Sequence, residues 1–377
     1  MMKPGITQLD RSPTGADGQF AALYRVLGDA ISARAFPGCT FGVLADGEVV
    51  LQGALGHFTY DEGAPVVSAD TVFDVASITK VVSTTAAAML LYQRGRLDLD
   101  MALGDLLPGF VVGRAQGDSA RHVTLRHLLA HNSGLPGCAE FFRTAATPAA
   151  LFRACLQLPL ESEPGTRAEY SDPGFILLGK ALEVLTREYL AIWVRREVFE
   201  PLGLVATCFC PAADRRLLIP ATEEDTTFRH RRIQGEVQDE NACVLKGAAG
   251  HAGLFSNVTD LLRFASEILE AGQKPASEGG DLRLFEPATV ELFAQRQGPE
   301  SSSRALGWDT PSENSTSGRY FSPRSIGHLG FSGCSLWIDR DARVAVAMLT
   351  NRTWPDRRCR LIREVWPAFH DAAREAL

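Results

Sequence analysis

A chain of 377 residues is too long for one simple hydrophobic core, so two intertwined subdomains are expected. Apolar residues make up 45% and charged residues 22%, an ordinary globular composition that excludes a disordered chain or a coiled coil. The net charge of -7 argues against a nucleic-acid partner, whose affinity would rest on basic phosphate contacts; it says little about a small-molecule substrate, the partner expected on other grounds.

The N-terminal stretch MMKPGITQLDRSPTGADG is polar and punctuated by Pro and Gly, and it lacks the apolar core of a secretory signal. No later run of about 20 apolar residues offers a membrane span. Cys39, Cys138, Cys155, Cys208, Cys210, Cys243, Cys334 and Cys359 are scattered without regular spacing. A protein of this size does not depend on disulfide staples, so reduced thiols in a cytoplasm are the expectation.

Phe20 to Arg34 repeats apolar residues at helical spacing and ends near Pro37-Gly38, which predicts an opening amphipathic helix. Thr40 to Leu44 and Val49 to Leu55 read as strands joined by a hairpin at Asp46-Gly47. A long helix is expected from about Ser77 to Arg94, capped at Gly95. From 96 to 234 helical patterns dominate, clearest at Leu125 to Ala130 and Phe175 to Arg187. Asp260 to Leu269 and Pro287 to Gln295 read as helices, and Ser335 to Asp339 with Arg343 to Thr350 as a second hairpin. A helix from Asp356 to Leu377 closes the chain. Ala271 to Asp281 and Asp309 to Pro323 read as mobile loops. Strands at both ends with helices between them imply an α/β plus all-α protein. Its antiparallel sheet is built from both termini and flanked by helices, around an inserted helical domain. The expected division is 1–95 and 235–377 for the α/β part and 96–234 for the helical part, with a cleft where they meet.

Phe73 to Lys80 carries the chemistry. Positions three apart on a helix share a face, which brings Ser77 and Lys80 within hydrogen-bond reach. A serine becomes nucleophilic when a neighbour takes its proton, and a lysine does so if its surroundings favour the neutral form. A helix N-terminus adds free N–H groups beside a developing oxyanion. A lone S-x-x-K match is expected by chance about once in a chain of this size. Two further features add weight. Tyr170 lies in a turn just before a helix, where a phenol beside a lysine can act as base and then as acid. Gly327 to Gly333 opens onto a strand, with glycines that let a substrate approach the backbone closely.

Together these features resemble the serine β-lactamase and penicillin-binding superfamily, in its class C β-lactamase-like branch of esterases and D-amino peptidases. Three motifs fall in that family's order: S-x-x-K at Ser77 to Lys80, Y-x-N/D at Tyr170 to Asp172, and H-x-G at His328 to Gly330. Family-like phrases surround them, including His127 to Leu135, Leu306 to Asp309 and Ser335 to Asp339, so that the likeness spans about residues 20 to 370. The resemblance implies a β-lactamase/transpeptidase-like fold and a cofactor-free acyl-enzyme on Ser77. Lys80 would share the proton and Tyr170 would relay it to the leaving group and then activate water. The N–H groups of Ser77 and Phe331 would form the oxyanion hole, with Asp172, His328, Gly330 and Phe331 lining the substrate site.

Two departures bear on the substrate. His328 and Leu329 stand where true β-lactamases and transpeptidases carry a lysine and a hydroxyl residue that grip a carboxylate. A leucine offers no hydrogen bond and a histidine is only partly charged near neutral pH, so neutral esters or amides are favoured. This makes a carboxylesterase-like enzyme the first expectation. A D-amino peptidase or weak β-lactamase is the rival enzyme, and a catalytically quiet peptidoglycan-binding or scaffold member the rival from another class. Asp172 stands where asparagine is commoner, and either keeps Lys80 protonated or repels anionic substrates.

Other candidates read as structural. His127 and His131 are four apart, but no third metal ligand sits at a familiar spacing. Cys208 and Cys210 lack a second pair for zinc. Gly250 to Phe255 is glycine-rich but follows no strand of a βαβ unit, and His251 reads as a buried, satisfied histidine. Gln238 to Asn241 reads as a solvated turn. Trp308 either packs in the core or walls an acyl pocket.

Overall fold

The computed structural model describes residues 18–114, 117–271, 283–313 and 315–377. Gly38–Ala45 (β1) and Glu48–Gly56 (β2) form the first hairpin. Its turn takes Asp46 at φ 49° and Gly47 at φ 87°, the paired positive angles that a type I′ turn requires. Ile326–Leu329 (β3), Ser335–Asp339 (β4) and Val344–Thr350 (β5) come from the other end of the chain. Strand β5 lies antiparallel to β1, and the sheet order is β2–β1–β5–β4–β3. The sheet is thus built from both termini, as expected. Strand β3 was hidden in the sequence because its four residues include a glycine and show no clean alternation.

The helices around the sheet and the site include Ala21–Ser32 (α1), Ala86–Gln93 (α2), Leu125–Leu129 (α3), Asp172–Thr186 (α4), Val258–Glu270 (α5), Pro287–Ala294 (α6) and Ile362–Glu375 (α7). Alternation along the buried strands sorts side chains onto two faces. Val344, Val346 and Met348 join Phe41 and Trp337 under the terminal helices α1 and α7. Ala345, Ala347 and Leu349 face α5 and merge with the core that continues into the helical part. Trp308 belongs to this second cluster, 1% exposed and stacked on Phe264 at 6.3 Å, which settles it as a core residue.

The stretch 96–234 is helical at α3 and α4, but it also holds a ribbon of Ala221–Asp225 against Arg231–Gln234. Charged residues such as Glu223, Glu224, Arg231 and Arg232 mask the strand signal there. Of the two expected loops, Asp309 to Pro323 is anchored near both ends. Asp309 exchanges both backbone hydrogen bonds with Gly327 at 2.9 Å, and Ser322 donates to the Asp339 carboxylate at 2.7 Å. The other, Ala271 to Asp281, lies outside the described residues from position 272 on. No described helix is long and apolar enough to cross a membrane.

Candidate active site

Ser77 is positioned by a small sheet. Phe73–Asp74 pairs with Leu254–Ser256, which in turn pairs with Cys208–Phe209. The Val75 N–H donates to Leu254 O at 3.0 Å, and Thr79 Oγ1 accepts from the Leu254 N–H at 3.0 Å. Between these anchors Ala76 turns through φ 46°, left-handed backbone that costs a residue with a Cβ about 1 kcal/mol or more. Ser77 follows in a tight turn of helix, Ala76–Ile78, and the helical run continues through Lys80–Thr85 into α2. The expected helix from about Ser77 is present, and its first turn is wound differently from the rest.

Lys80 joins the motifs. Its Nζ lies 3.0 Å from Ser77 Oγ, 2.7 Å from Asp172 Oδ1 and 3.0 Å from His251 O, and the side chain has no exposure. Burial pushes the ammonium down, but the Asp172 carboxylate and the Tyr170 phenol outweigh it and leave Lys80 above its ordinary range. Of the two readings of Asp172, the structure favours the first: it is the counterion of Lys80, and it retains 28% exposure. Asp172→Asn removes that counterion, so burial then dominates and the lysine pKa falls. The rising limb of kcat/KM against pH is expected to move toward lower pH in this variant, which a pH-rate profile on one ester will check.

Tyr170 precedes α4. Ser171 caps that helix by accepting the Gly174 N–H at 3.1 Å, and Asp172 begins it. The Tyr170 hydroxyl is shielded from solvent and faces Lys80 and Ser77. Burial raises its pKa, against the pull of Lys80, so the phenol is neutral at rest. Lys80 Nζ stands 4.8 Å from its ring centroid. Beneath the ring lies His131, at 4.6 Å between centroids, with Nδ1 accepting the Ser171 N–H at 2.9 Å. His131 therefore supports the second motif rather than a metal, and His127 closes a capping box with Thr124 on α3.

The third motif faces the same site. The His328 ring is 5.8 Å from Tyr170, and its Nδ1 hydrogen-bonds Leu329 O at 2.8 Å. Burial first, then the charges of Lys80 and Arg304, hold His328 well below its ordinary range, so it presents a neutral ring. Leu329 packs with the cluster under α1 and α7. At Gly330 the missing side chain lets the third-motif turn close onto Val75. A Cβ there would stand 2.5 Å from Val75 O, and its N–H is used by Cys334 O at 2.7 Å. Phe331 is 49% exposed at the mouth of the site, with Arg352 over its ring at 4.3 Å. Neither Ser77 N–H nor Phe331 N–H donates a hydrogen bond among the described residues.

Sequence reasoning missed several residues here. Arg304 stands 5.0 Å from the Tyr170 ring centroid, paired loosely with Asp309 at 3.7 Å. Nothing in its local sequence marks it, because the loop before Leu306-Gly307-Trp308 carries it to the site. Gln238 to Asn241 is not a solvated turn: Gln238 and Glu240 are buried, and Asp239 Oδ1 meets His251 Nε2 at 2.9 Å. Burial works against ionisation of Asp239, yet His251 and the Ala242 N–H hold it down at about 2. The His251 ring is buried and engaged through Nε2, but its Nδ1 has no partner among the described residues, so the expected satisfied histidine is met on one side only; its carbonyl serves Lys80.

Residues 20–368 match the family described as Beta-lactamase. The chain belongs to the beta-lactamase family. Among curated members and relatives, an N-acetylmuramyl-L-alanine amidase of Bacillus subtilis is 30% identical over 85% of this chain and 78% of that protein. A putative D-alanyl-D-alanine carboxypeptidase of Salmonella typhimurium is 28% identical over 93% of this chain and 86% of its own. Among solved structures, the hydrolase EstCE1, described as having promiscuous acyltransferase activity, shares the fold with a TM-score of 0.73. It is 24% identical, over 94% of this chain and all (100%) of that one. The family and these relatives make the protein a serine hydrolase of mixed α/β fold.

Proposed function

We propose that this serine hydrolase works through an acyl-enzyme on Ser77 and acts as a carboxylesterase-like hydrolase of small esters or amides. The observation that carries this reading is the buried Lys80 Nζ bridging Ser77 Oγ at 3.0 Å and Asp172 at 2.7 Å. At rest the lysine is an ammonium ion and the phenol is neutral. The reactive form is the Lys80–Tyr170 pair with one proton fewer. That pair accepts the Ser77 proton as Oγ attacks the carbonyl, and Tyr170 then hands a proton to the departing oxygen or nitrogen. The free N–H groups of Ser77 and Phe331 receive the carbonyl oxygen as it gains charge. Water repeats the attack on the acyl-enzyme with the same proton pair, releasing the acid. No step calls for a cofactor. A cytoplasmic location is supported by eight cysteines that are all unpaired.

His328 in its neutral state supports the preference for uncharged acyl groups. Arg304 supports a second reading, a peptidase or amidase that takes a carboxylate-bearing substrate, in line with what the two curated relatives are named for. Comparing kcat/KM for p-nitrophenyl butyrate, nitrocefin and an N-acyl-D-alanyl-D-alanine separates them. The ester is expected to lead, and a nitrocefin value above it overturns the esterase reading. Under the second reading, Arg304→Ala lowers kcat/KM on the dipeptide by about 10- to 100-fold, the worth of a charge-assisted hydrogen bond, and spares the ester. An equal effect on both substrates removes Arg304 as a carboxylate anchor.

A further inference from the structure

We propose that Asp74 is a positioning residue that holds both halves of the oxyanion hole in register, an inference that rests on Ser77 being the acylated nucleophile. Asp74 is 2% exposed, and each of its polar groups is committed to a different segment. Oδ1 accepts the Ala76 N–H at 2.8 Å, and so fixes the left-handed peptide immediately before Ser77. Oδ2 accepts the Gln238 N–H at 2.8 Å, tying that turn to the segment of Asp239, whose carboxylate orients His251 beneath Lys80. The main-chain oxygen of Asp74 accepts the Ser332 hydroxyl at 2.7 Å. Ser332 immediately follows Phe331, so one residue links the peptides that bear the two free N–H groups.

The rest of the frame agrees. Gly330 lets the third-motif turn close onto Val75, and a Cβ there would meet Val75 O at 2.5 Å. On the far side Arg352 Nε donates to Phe331 O at 2.7 Å, and the Arg352 N–H to Ser332 O at 2.9 Å. The Phe331 peptide is therefore gripped by Arg352 at its carbonyl and by Asp74 through Ser332. Neutral hydrogen bonds would suffice to fold these turns. A carboxylate buried among backbone donors adds stiffness, because both its oxygens pull on N–H groups at once.

Asp74→Asn keeps the shape but offers one acceptor oxygen and one NH2, which must face either the Ala76 or the Gln238 donor. Turning the Ala76 peptide moves the Ser77 N–H, and a displacement of about 1 Å at such a site costs about 100-fold. The expected result is a fall of about 100-fold in kcat on p-nitrophenyl butyrate with little change in KM. Binding of benzeneboronic acid reports the same geometry. Its boron takes the Ser77 oxygen and becomes a tetrahedral anion with an oxygen in the hole, while the serine proton passes to the Lys80–Tyr170 pair. Boronate affinity is expected to fall in parallel with kcat, a proportionality that a purely structural defect does not produce. Ser332→Ala, which removes the bond to the Asp74 main-chain oxygen and the weaker contact of the same hydroxyl with Cys334 Sγ at 3.3 Å, should show the same parallel loss at about 3- to 10-fold. If Asp74→Asn does not fold, Asp74→Glu, which keeps a carboxylate but displaces both oxygens, is read in the same two assays, because the Ser332 bond goes to a main-chain oxygen that any residue at 74 supplies. Folded variants with kcat and boronate affinity unchanged, or with KM raised and kcat intact, overturn the proposal. A wild-type protein that fails to bind boronate sinks the role of Ser77 and this inference with it.

Discussion

Ser77→Ala is expected to lower kcat/KM on any ester by on the order of 10⁴- to 10⁶-fold, the loss seen when a nucleophile that acts as one unit with its proton partners is removed. The same variant is expected to fold normally. Lys80 keeps Asp172 at 2.7 Å and His251 O at 3.0 Å, so no buried charge is stranded. Stability should change by about 1 kcal/mol or less, read from chemical denaturation. A variant that retains more than a small fraction of wild-type turnover would place the nucleophile elsewhere.

Lys80→Met should cost both activity and stability. The methionine fills the space of the lysine stem, but the ammonium that bridges Ser77, Asp172 and His251 O is gone. Activity is expected to fall by about 10³-fold, since the pair that takes the serine proton is broken. Breaking a buried ion pair typically costs about 3–5 kcal/mol, and the lower end applies here because Asp172 is 28% exposed and can take up water. Making Asp172→Asn in the same chain should recover much of the stability and none of the activity. Denaturation midpoints and kcat/KM of the single and double variants check both halves of this statement.

The ends of the fold were legible because their signals are local. Asp46-Gly47 announces a type I′ turn, and two short, largely apolar runs close together in sequence announce the β4–β5 hairpin, which the structure shows paired antiparallel. Strand β3 was not legible, since four residues at a sheet edge with a glycine among them carry no period. The three motifs could be found because S-x-x-K is one helical turn and Tyr170 sits beside a helix cap. Arg304 and Asp74 could not. Their roles arise from contacts made across long chain separations, with the Tyr170 ring in one case and with Gln238 and Ser332 in the other. The polar run at Gln238 to Asn241 misled for the same reason: its partners, among them Asp74 and His251, are far away in sequence.

Covalent labelling of the wild-type protein with a fluorophosphonate, followed by peptide mapping of the adduct, tests whether Ser77 is the acylated residue. One adduct per chain is expected, carried by the peptide that contains Ser77, and no adduct in Ser77→Ala. Lys80→Met should label far more slowly at the same position. Full labelling of another serine, or a folded wild-type protein that takes up no probe, would contradict an acyl-enzyme on Ser77; the second outcome would favour a quiet binding or scaffold role.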